Sequence, residues 1–139
     1  MGAPNPSSPV GIVIATHGDL AHALQRNAEM IVGPQDGVVP LGLDPPDTPE
    51  SLKAALLEAI DRVDRGSGVL VLVDLFGGTP SQVAARCSAR RPVAIAAGVN
   101  LPMLLDTLIN RTRLTAPELA ALAVESGAAG VVDVSARLS

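Results

Sequence analysis

The feature that most constrains this chain is a pair of short aliphatic runs, each followed at once by a turn and then by a helix-like segment. Residues 10–15 and residues 69–74 are almost continuous in Val, Ile and Leu. Such runs are typical of strands that are covered by helices on both faces. Because strands alternate with helices along the chain, we predict an open, doubly wound α/β fold with a mainly parallel sheet.

Hydrophobic periodicity and helix start and stop signals predict the remaining elements. Two further strands are predicted at residues 38–43 and 93–97, and a last short strand at residues 130–134. Helices are predicted at residues 19–31, 50–63, 80–89 and 102–110, and one more opens at the capping-box pair Thr115 and Glu118 and ends near Gly127. The expected sheet order is 2-1-3-4, so strands 1 and 3 are neighbours and the order reverses between them.

Length and composition predict a single domain at residues 10–139, since 139 residues with 47% hydrophobic content are enough for one core. Residues 1–9 are rich in Pro and Ser and lack the charged and apolar regions of a signal peptide. We therefore expect a disordered leader there. The single cysteine, Cys87, allows no intramolecular disulfide and fits a cytoplasmic protein.

The composition argues against nucleic acid and against a direct membrane association. The net charge is −4, and the only basic cluster consists of Arg86, Arg90 and Arg91. With one Phe and no Tyr or Trp, the chain has no set of aromatic side chains on which bases could stack. No apolar stretch approaches the roughly 20 residues that span a bilayer.

Two polar residues follow the paired aliphatic runs. His17 comes after the first predicted strand and Asp74 ends the third. In the predicted order, these strand ends meet at the switch point where ligands bind in open α/β sheets. One imidazole nitrogen could then attack phosphorus while the other donates to the carboxylate. The alternatives are a histidine that caps a helix and a carboxylate that caps backbone, with no chemistry in either case.

The segment Gly77-Gly78-Thr79-Pro80 has the composition of a helix start. The glycines permit a sharp turn, Thr79 suits the N-cap, and Pro80 suits the first helical position. Free N–H groups and the positive end of the helix dipole at such a start bind phosphate. The alternative is a tight strand-to-helix turn without a ligand. A histidine across the cleft favours the phosphate site.

Other candidate groups are assigned ordinary roles. His22 is expected on the surface of the first helix, and Cys87 is expected as a small buried residue. Phe76 either packs beneath the glycine turn or is an exposed apolar anchor for partner proteins. The nucleotide-binding glycine patterns, a serine-hydrolase elbow and a clustered metal-ligand set are all lacking, so no cofactor or metal is expected.

Three segments, in the same order and at the same spacing, resemble those of a known family. They are residues 15–18 (Ala-Thr-His-Gly), 73–80 (Val-Asp-Leu-Phe-Gly-Gly-Thr-Pro) and 97–105 (Ala-Gly-Val-Asn-Leu-Pro-Met-Leu-Leu). Their residues, order and spacing resemble the enzyme IIA domain of the mannose family of the bacterial sugar phosphotransferase system. The likeness runs from about residue 10 to the end of the chain.

The resemblance implies a phosphoryl carrier, and it also implies the partners. His17 would accept a phosphoryl group from phospho-HPr and pass it to a separate IIB protein, so that any link to a membrane is indirect, through IIC and IID components. Asp74 would hold the imidazole, and Thr79 would contact the phosphoryl group beside Gly77 and Gly78. It further implies a homodimer in which the last strand crosses to the partner's sheet.

Some features and functions stay open. Gln82 stands where Asn is expected, and the proline-rich loop at residues 44–49 has no assigned role. Besides the sugar-transport carrier, one alternative is a regulatory relay in which a partner recognises the phosphorylation state of His17 without sugar transport. Two others are the phosphoryl-donor subunit of a dihydroxyacetone kinase and a binding module in which His17 is never phosphorylated. The sugar is not specified by this sequence, and neighbouring IIC or IID genes would distinguish transport from regulation.

Overall fold

The computed structural model describes residues 8–139, in which strands and helices alternate until the last three helices. The strands are β1 (Gly11–His17), β2 (Val38–Leu43), β3 (Val69–Val73) and β4 (Val93–Ala97). The helices are α1 (Leu20–Val32), α2 (Pro49–Val63), α3 (Thr79–Cys87), α4 (Leu101–Asn110), α5 (Ala116–Ala129) and α6 (Val134–Leu138). Residues 1–7, most of the predicted leader, lie outside the described residues.

The sheet has four parallel strands in the order β2-β1-β3-β4, which confirms the predicted fold class. In the central pair, Ile12 lies opposite Leu70 and Ala15 lies opposite Val73. Every residue of β3 is fully buried, as its continuous aliphatic sequence indicates. The carboxyl ends of β1 and β3 are therefore held side by side at one edge of the sheet.

Helices cover both faces of the sheet and form two apolar clusters. On one face, α1, α4 and α5 pack against Ile12, Ile14, Leu70 and Leu72. On the other face, α2 and α3 pack against alternate residues of the same strands. Successive strand side chains point to opposite faces, so one strand contributes to both clusters. No helix within residues 8–139 is long and apolar enough to cross a bilayer.

The capping box predicted for α5 is formed. The Thr115 hydroxyl accepts from the backbone N–H of Glu118, and the Glu118 carboxylate accepts from the backbone N–H of Thr115. The hydrogen bond from the Thr115 backbone N–H, helped by the Thr115 hydroxyl, lowers the pKa of the Glu118 carboxyl. The start of this helix was readable from sequence because both partners lie within one turn.

Arg111 joins three elements at the edge of the sheet opposite to His17. Its guanidinium donates to the carbonyl oxygens of Val10, Gly37 and Asp36 and to the side-chain oxygen of Gln35. Burial lowers the pKa of the guanidinium, yet an arginine keeps its charge in proteins. This buried side chain ties the beginnings of β1 and β2 to the end of α4.

The predicted last strand at residues 130–134 is wrong for the single chain. Helix α5 continues to Ala129, residues 131–133 have no regular structure, and α6 begins at Val134 with Asp133 as its N-cap. A strand requires a paired neighbour, and this segment pairs with none of strands β1 to β4. Its valines, Val131, Val132 and Val134, are exposed instead.

Candidate functional site

His17 is the last residue of β1, one position inside the strand rather than in the turn after it. Gly18 follows with φ +58°, a left-handed conformation that glycine adopts without strain, and it redirects the chain into α1. The Gly18 carbonyl lies against Gly42 of the neighbouring strand, where a Cβ would collide with it. The His17 side chain is consequently presented at the sheet edge with 50% of its surface exposed.

Asp74 comes directly after β3 and holds His17 at two points. Its Oδ2 accepts a hydrogen bond from the His17 backbone N–H at 3.0 Å. The same oxygen lies 2.9 Å from the ring Nδ1. An ionised carboxylate only accepts hydrogen bonds, so Nδ1 carries the proton and Nε2 keeps a free lone pair. The geometry therefore leaves Nε2 as the nucleophilic nitrogen.

The electrostatic setting keeps Asp74 ionised. Burial raises the pKa of its carboxyl, but the hydrogen bonds from the His17 ring and backbone lower it by more, and the net pKa lies below the ordinary value. The side chain is only 15% exposed, and the second oxygen, Oδ1, is buried without a hydrogen-bond partner among residues 8–139. The negative charge is thus available to stabilise a positive imidazole.

Helix α3 begins beside the His17 ring. Gly78 is its N-cap, Thr79 its first residue and Pro80 its second, so the predicted N-cap role of Thr79 is wrong by one position. A Cβ on Gly78 would lie 3.1 Å from the Cε1 atom of His17. Gly78 therefore lets the helix start approach the ring at Cε1, the carbon between the two ring nitrogens. The first N–H groups of a helix, here those of Thr79 and Ser81, have no partner within it.

Thr16 fixes the backbone around His17 and was given no role from sequence. Its side chain is fully buried, and its hydroxyl donates to the His17 carbonyl at 3.1 Å. The same hydroxyl oxygen accepts from the backbone N–H of Ala21 at 2.9 Å. Asp19, the N-cap of α1, makes no side-chain cap bond, so Thr16 supplies that acceptor from three residues earlier.

Gln82 is the second residue whose contact was not foreseen. Its side-chain amide donates to the carbonyl of Gly77 at 2.8 Å, across the turn that opens α3. Gly77 has φ +86°, which accounts for glycine at that position. The side chain lies on the exposed surface of the helix.

Phe76 is 87% exposed, so the alternative in which it packs beneath the glycine turn is wrong. Leu75 beside it is also exposed. On the other side of His17, a groove of about 410 Å³ is lined by His17, Gly18, Leu43, Asp44, Pro45 and Asp47. Exposed apolar side chains next to a reactive group are a feature of protein docking sites. The docking role of Phe76 stays a prediction.

His22 and Cys87 lie where they were expected. His22 is exposed on α1, and Cys87 is fully buried in α3, where burial raises the pKa of its thiol. No group of three or more His, Cys, Asp or Glu side chains is placed to hold a metal ion within residues 8–139, and we assign no metal site there. A separate cavity of about 740 Å³ lies near Gly68 and Pro92, at the opposite end of the strands from His17.

The assembled groups suit one kind of chemistry. A nitrogen nucleophile faces outward, a carboxylate stands behind it to stabilise positive charge, and a helix start beside it offers N–H donors to anionic oxygens. Phosphoryl transfer needs this combination of positioning and charge stabilisation.

Comparison with known proteins identifies the family to which this chain is similar. Residues 11–124 match a family model, EIIA-man, described as the PTS system fructose IIA component. The chain is 38% identical over 130 residues to the mannose-specific EIIAB component of Escherichia coli K12, a match that takes in 92% of this chain and 40% of that protein. The chain thus spans well under half the length of that relative.

A shorter relative and a solved structure agree with that match. The fructose-specific EIIA component of Bacillus subtilis 168 is 33% identical over 111 residues, covering 79% of this chain and 76% of that protein. The crystal structure of the phosphotransferase system component EIIA from Streptococcus agalactiae superposes with a TM-score of 0.84 at 27% identity, covering 91% of this chain and 98% of that one.

Proposed function

The chain belongs to the mannose-type EIIA family of the sugar phosphotransferase system, and from this we propose that it is a cytoplasmic phosphoryl carrier acting through a phosphohistidine at His17. Phospho-HPr would be the donor and a separate IIB protein the acceptor. The observation that carries the proposal is the His17 Nδ1 to Asp74 Oδ2 contact of 2.9 Å, which leaves Nε2 facing outward.

The transfer step exchanges one N–P bond for another. The lone pair on His17 Nε2 attacks phosphorus in line with the donor's N–P bond. That bond breaks, its electron pair stays on the donor's imidazole nitrogen, and a bond from Nε2 to phosphorus forms. The His17 ring, still protonated at Nδ1, becomes positively charged, and the adjacent Asp74 carboxylate stabilises it. Transfer to the acceptor reverses these roles.

The start of α3 would bind the negatively charged oxygens of the phosphoryl group. Gly78 brings the helix start against the ring, and the Thr79 N–H lies among the unpaired donors of the first turn. The positive end of the helix dipole adds to the attraction for an anion there. We assign phosphoryl binding to Gly77, Gly78 and Thr79, with the Thr79 hydroxyl as a further donor.

We assign the docking of both protein partners to the exposed surface around His17. Phe76 supplies an apolar side chain on one side of the imidazole, and Leu43 and Pro45 line the groove on the other. Buried aromatic anchors carry a large share of the energy at protein interfaces. HPr and the IIB protein would use the surface in turn.

We further propose that the carrier is a homodimer. Strand β4 is an edge strand, paired on one side by β3 within residues 8–139. The valines of residues 131–134 and Leu138 are exposed near the end of the chain. A terminal segment that crosses to a second copy would cover both the edge strand and these side chains.

The proposal is tested by incubating the protein with phosphoenolpyruvate, enzyme I and HPr and measuring its intact mass. We expect a gain of one phosphoryl group that is lost in acid and retained in base, absent in His17→Ala and present in His22→Ala. Labelling that depends on His22 rather than His17 would refute the site assignment.

A second stage identifies the acceptor. Chase of the phosphorylated protein with a IIB protein should discharge it. Discharge only to dihydroxyacetone kinase subunits would assign the chain to that system. A phosphorylated protein that no acceptor discharges, but whose partner binding changes with phosphorylation, would identify a regulatory relay.

A further inference from the structure

Gln82 holds both peptide groups that flank Gly78, the residue in contact with the His17 ring. Its side-chain Nε2 donates to the Gly77 carbonyl at 2.8 Å, and its backbone N–H donates to the Gly78 carbonyl at 3.0 Å. From this we infer that Gln82 is a positioning residue, which orients the phosphoryl-binding turn through Gly77. The inference rests on the proposed phosphoryl transfer at His17.

The backbone bond from Gln82 to the Gly78 carbonyl determines the direction of the Thr79 N–H, and the side-chain bond to Gly77 holds the peptide before it. In a trans peptide the carbonyl and the N–H of the same unit point in opposite directions. The carbonyl of Gly78 points into α3 toward Gln82, so the N–H of Thr79 points out of the helix start. The His17 ring lies at that end, because a Cβ on Gly78 would lie 3.1 Å from its Cε1 atom.

The turn needs an external restraint because two glycines follow each other. Gly77 adopts φ +86°, and glycine has the largest range of alternative conformations to lose. The peptide between Gly77 and Gly78 is bonded at its N–H end to the Leu75 carbonyl at 3.1 Å. Gln82 supplies the bond at its carbonyl end, so the peptide plane is held from both sides.

Loss of the Gln82 side-chain bond should slow phosphoryl transfer without lowering the stability of the fold. Gln82 is exposed, and surface substitutions away from the core change stability little. A preorganised donor matters most when charge moves in the transition state. Loss of the side-chain bond from Gln82 would let the Gly77–Gly78 peptide rotate, and the resulting movement of Gly78 would displace the Thr79 N–H from the His17 ring. No group assigned to phosphoryl binding would be removed.

The experiment compares Gln82→Met, Gln82→Glu and the control Arg86→Met. Methionine keeps the side-chain length but cannot donate, and an ionised glutamate places an acceptor against the Gly77 carbonyl. Arg86 lies one turn further along α3, is exposed, and lies outside the turn at residues 75–79. Single-turnover transfer from phospho-HPr is followed over a range of donor concentrations, together with thermal melting and the amide NMR signals of Gly78 and Thr79.

We expect the rate at saturating donor to fall about tenfold in Gln82→Met, the kinetic equivalent of one ordinary hydrogen bond, and further in Gln82→Glu. The donor concentration for half-maximal rate should stay within about twofold and the melting temperature within about 2 °C of wild type. Phosphorylation should shift the Thr79 amide signal less than in wild type. Arg86→Met should behave as wild type.

The outcomes separate this inference from the function on which it rests. Wild-type rates and an unchanged Thr79 shift in Gln82→Met, with an active wild type, would overturn the positioning role alone. A rate loss that only parallels a lower melting temperature would also overturn it. A wild-type protein that takes no phosphoryl group at His17 would overturn the proposed function and the inference together.

Discussion

One oxygen of Asp74, Oδ2, receives hydrogen bonds from both the backbone N–H and the ring Nδ1 of His17, at 3.0 Å and 2.9 Å. The residue is thus anchored through its main chain and its side chain by the same atom. Since Asp74 directly follows β3 and His17 ends β1, the pairing of the two central strands sets the ring orientation.

Asp74→Asn should keep the shape of the site and slow phosphoryl transfer to His17 by roughly 10²- to 10⁴-fold. The amide oxygen can still accept from the His17 backbone N–H and from Nδ1, so the ring keeps its orientation. The amide is neutral, however, and cannot stabilise the positive ring that forms on transfer. Single-turnover labelling by phospho-HPr measures the effect, with Asp106→Asn on α4 as the control. Equal rates in the two variants would remove Asp74 from the mechanism.

Acid should weaken the fold partly through Asp74. Its folded-state pKa lies below the ordinary value of 3.8, so the unfolded chain binds this proton more readily. The stabilisation is therefore present above the ordinary pKa and is lost as the pH falls through the lower, folded-state pKa. Melting curves from pH 6 downward should show wild type and Asp74→Asn converging in strong acid. A difference in melting temperature between the two proteins that grows as the pH falls would contradict a lowered folded-state pKa for Asp74.

Thr16→Val should destabilise the protein by about 1–3 kcal/mol, because the Ala21 N–H loses its acceptor while the side-chain shape is kept. Transfer should slow as well, since the His17 carbonyl loses its restraint. Denaturant unfolding measures the first effect, and Thr16→Ser, which keeps the hydroxyl, is the control. Stability equal to wild type in Thr16→Val would show that the hydroxyl bonds contribute nothing net.

Phe76→Ala should raise the apparent KM for phospho-HPr by about 30-fold, corresponding to the roughly 2 kcal/mol of an aromatic interface anchor. Because the ring is 87% exposed, the melting temperature should hardly change. Ile109→Ala, an exposed apolar residue on α4, is the matched control. A large fall in melting temperature with normal affinity would instead assign Phe76 a packing role.

Sedimentation at micromolar concentration should give about twice the mass of one chain. A variant ending at Gly130 removes the exposed valines and α6, and we expect it to sediment as a monomer that still accepts a phosphoryl group. A full-length monomer that is phosphorylated normally would show that exchange of the terminal segment is unnecessary.

The strands of the sheet could be predicted from the sequence because each one is marked by a short run of neighbouring residues. The aliphatic runs at residues 10–15 and 69–73 contain no polar residue, and the strand order predicted from them makes their carboxyl ends neighbours. The capping box at Thr115 was readable for the same reason, since both partners lie within one helical turn. The meeting of His17 and Asp74, 57 positions apart in sequence, required only the strand order.

The contacts that sequence reasoning missed depend on side-chain direction. Whether the amide of Gln82 reaches Gly77, or the hydroxyl of Thr16 reaches Ala21, depends on rotamers and turn geometry that no periodicity encodes. The N-cap was misplaced by one residue because Gly and Thr are both acceptable there. Residues 130–134 have strand-like composition, but they pair with none of strands β1 to β4, and composition alone does not supply a pairing partner.

The outward position of His17 Nε2 has a kinetic consequence for a carrier. With Nδ1 bonded to Asp74, a donor and an acceptor that both react at Nε2 would have to approach the same atom and could not be bound there together. Turnover must then alternate, with one protein leaving before the next arrives. Under the proposed function, an excess of unphosphorylated donor would therefore compete directly with the acceptor for the surface around His17.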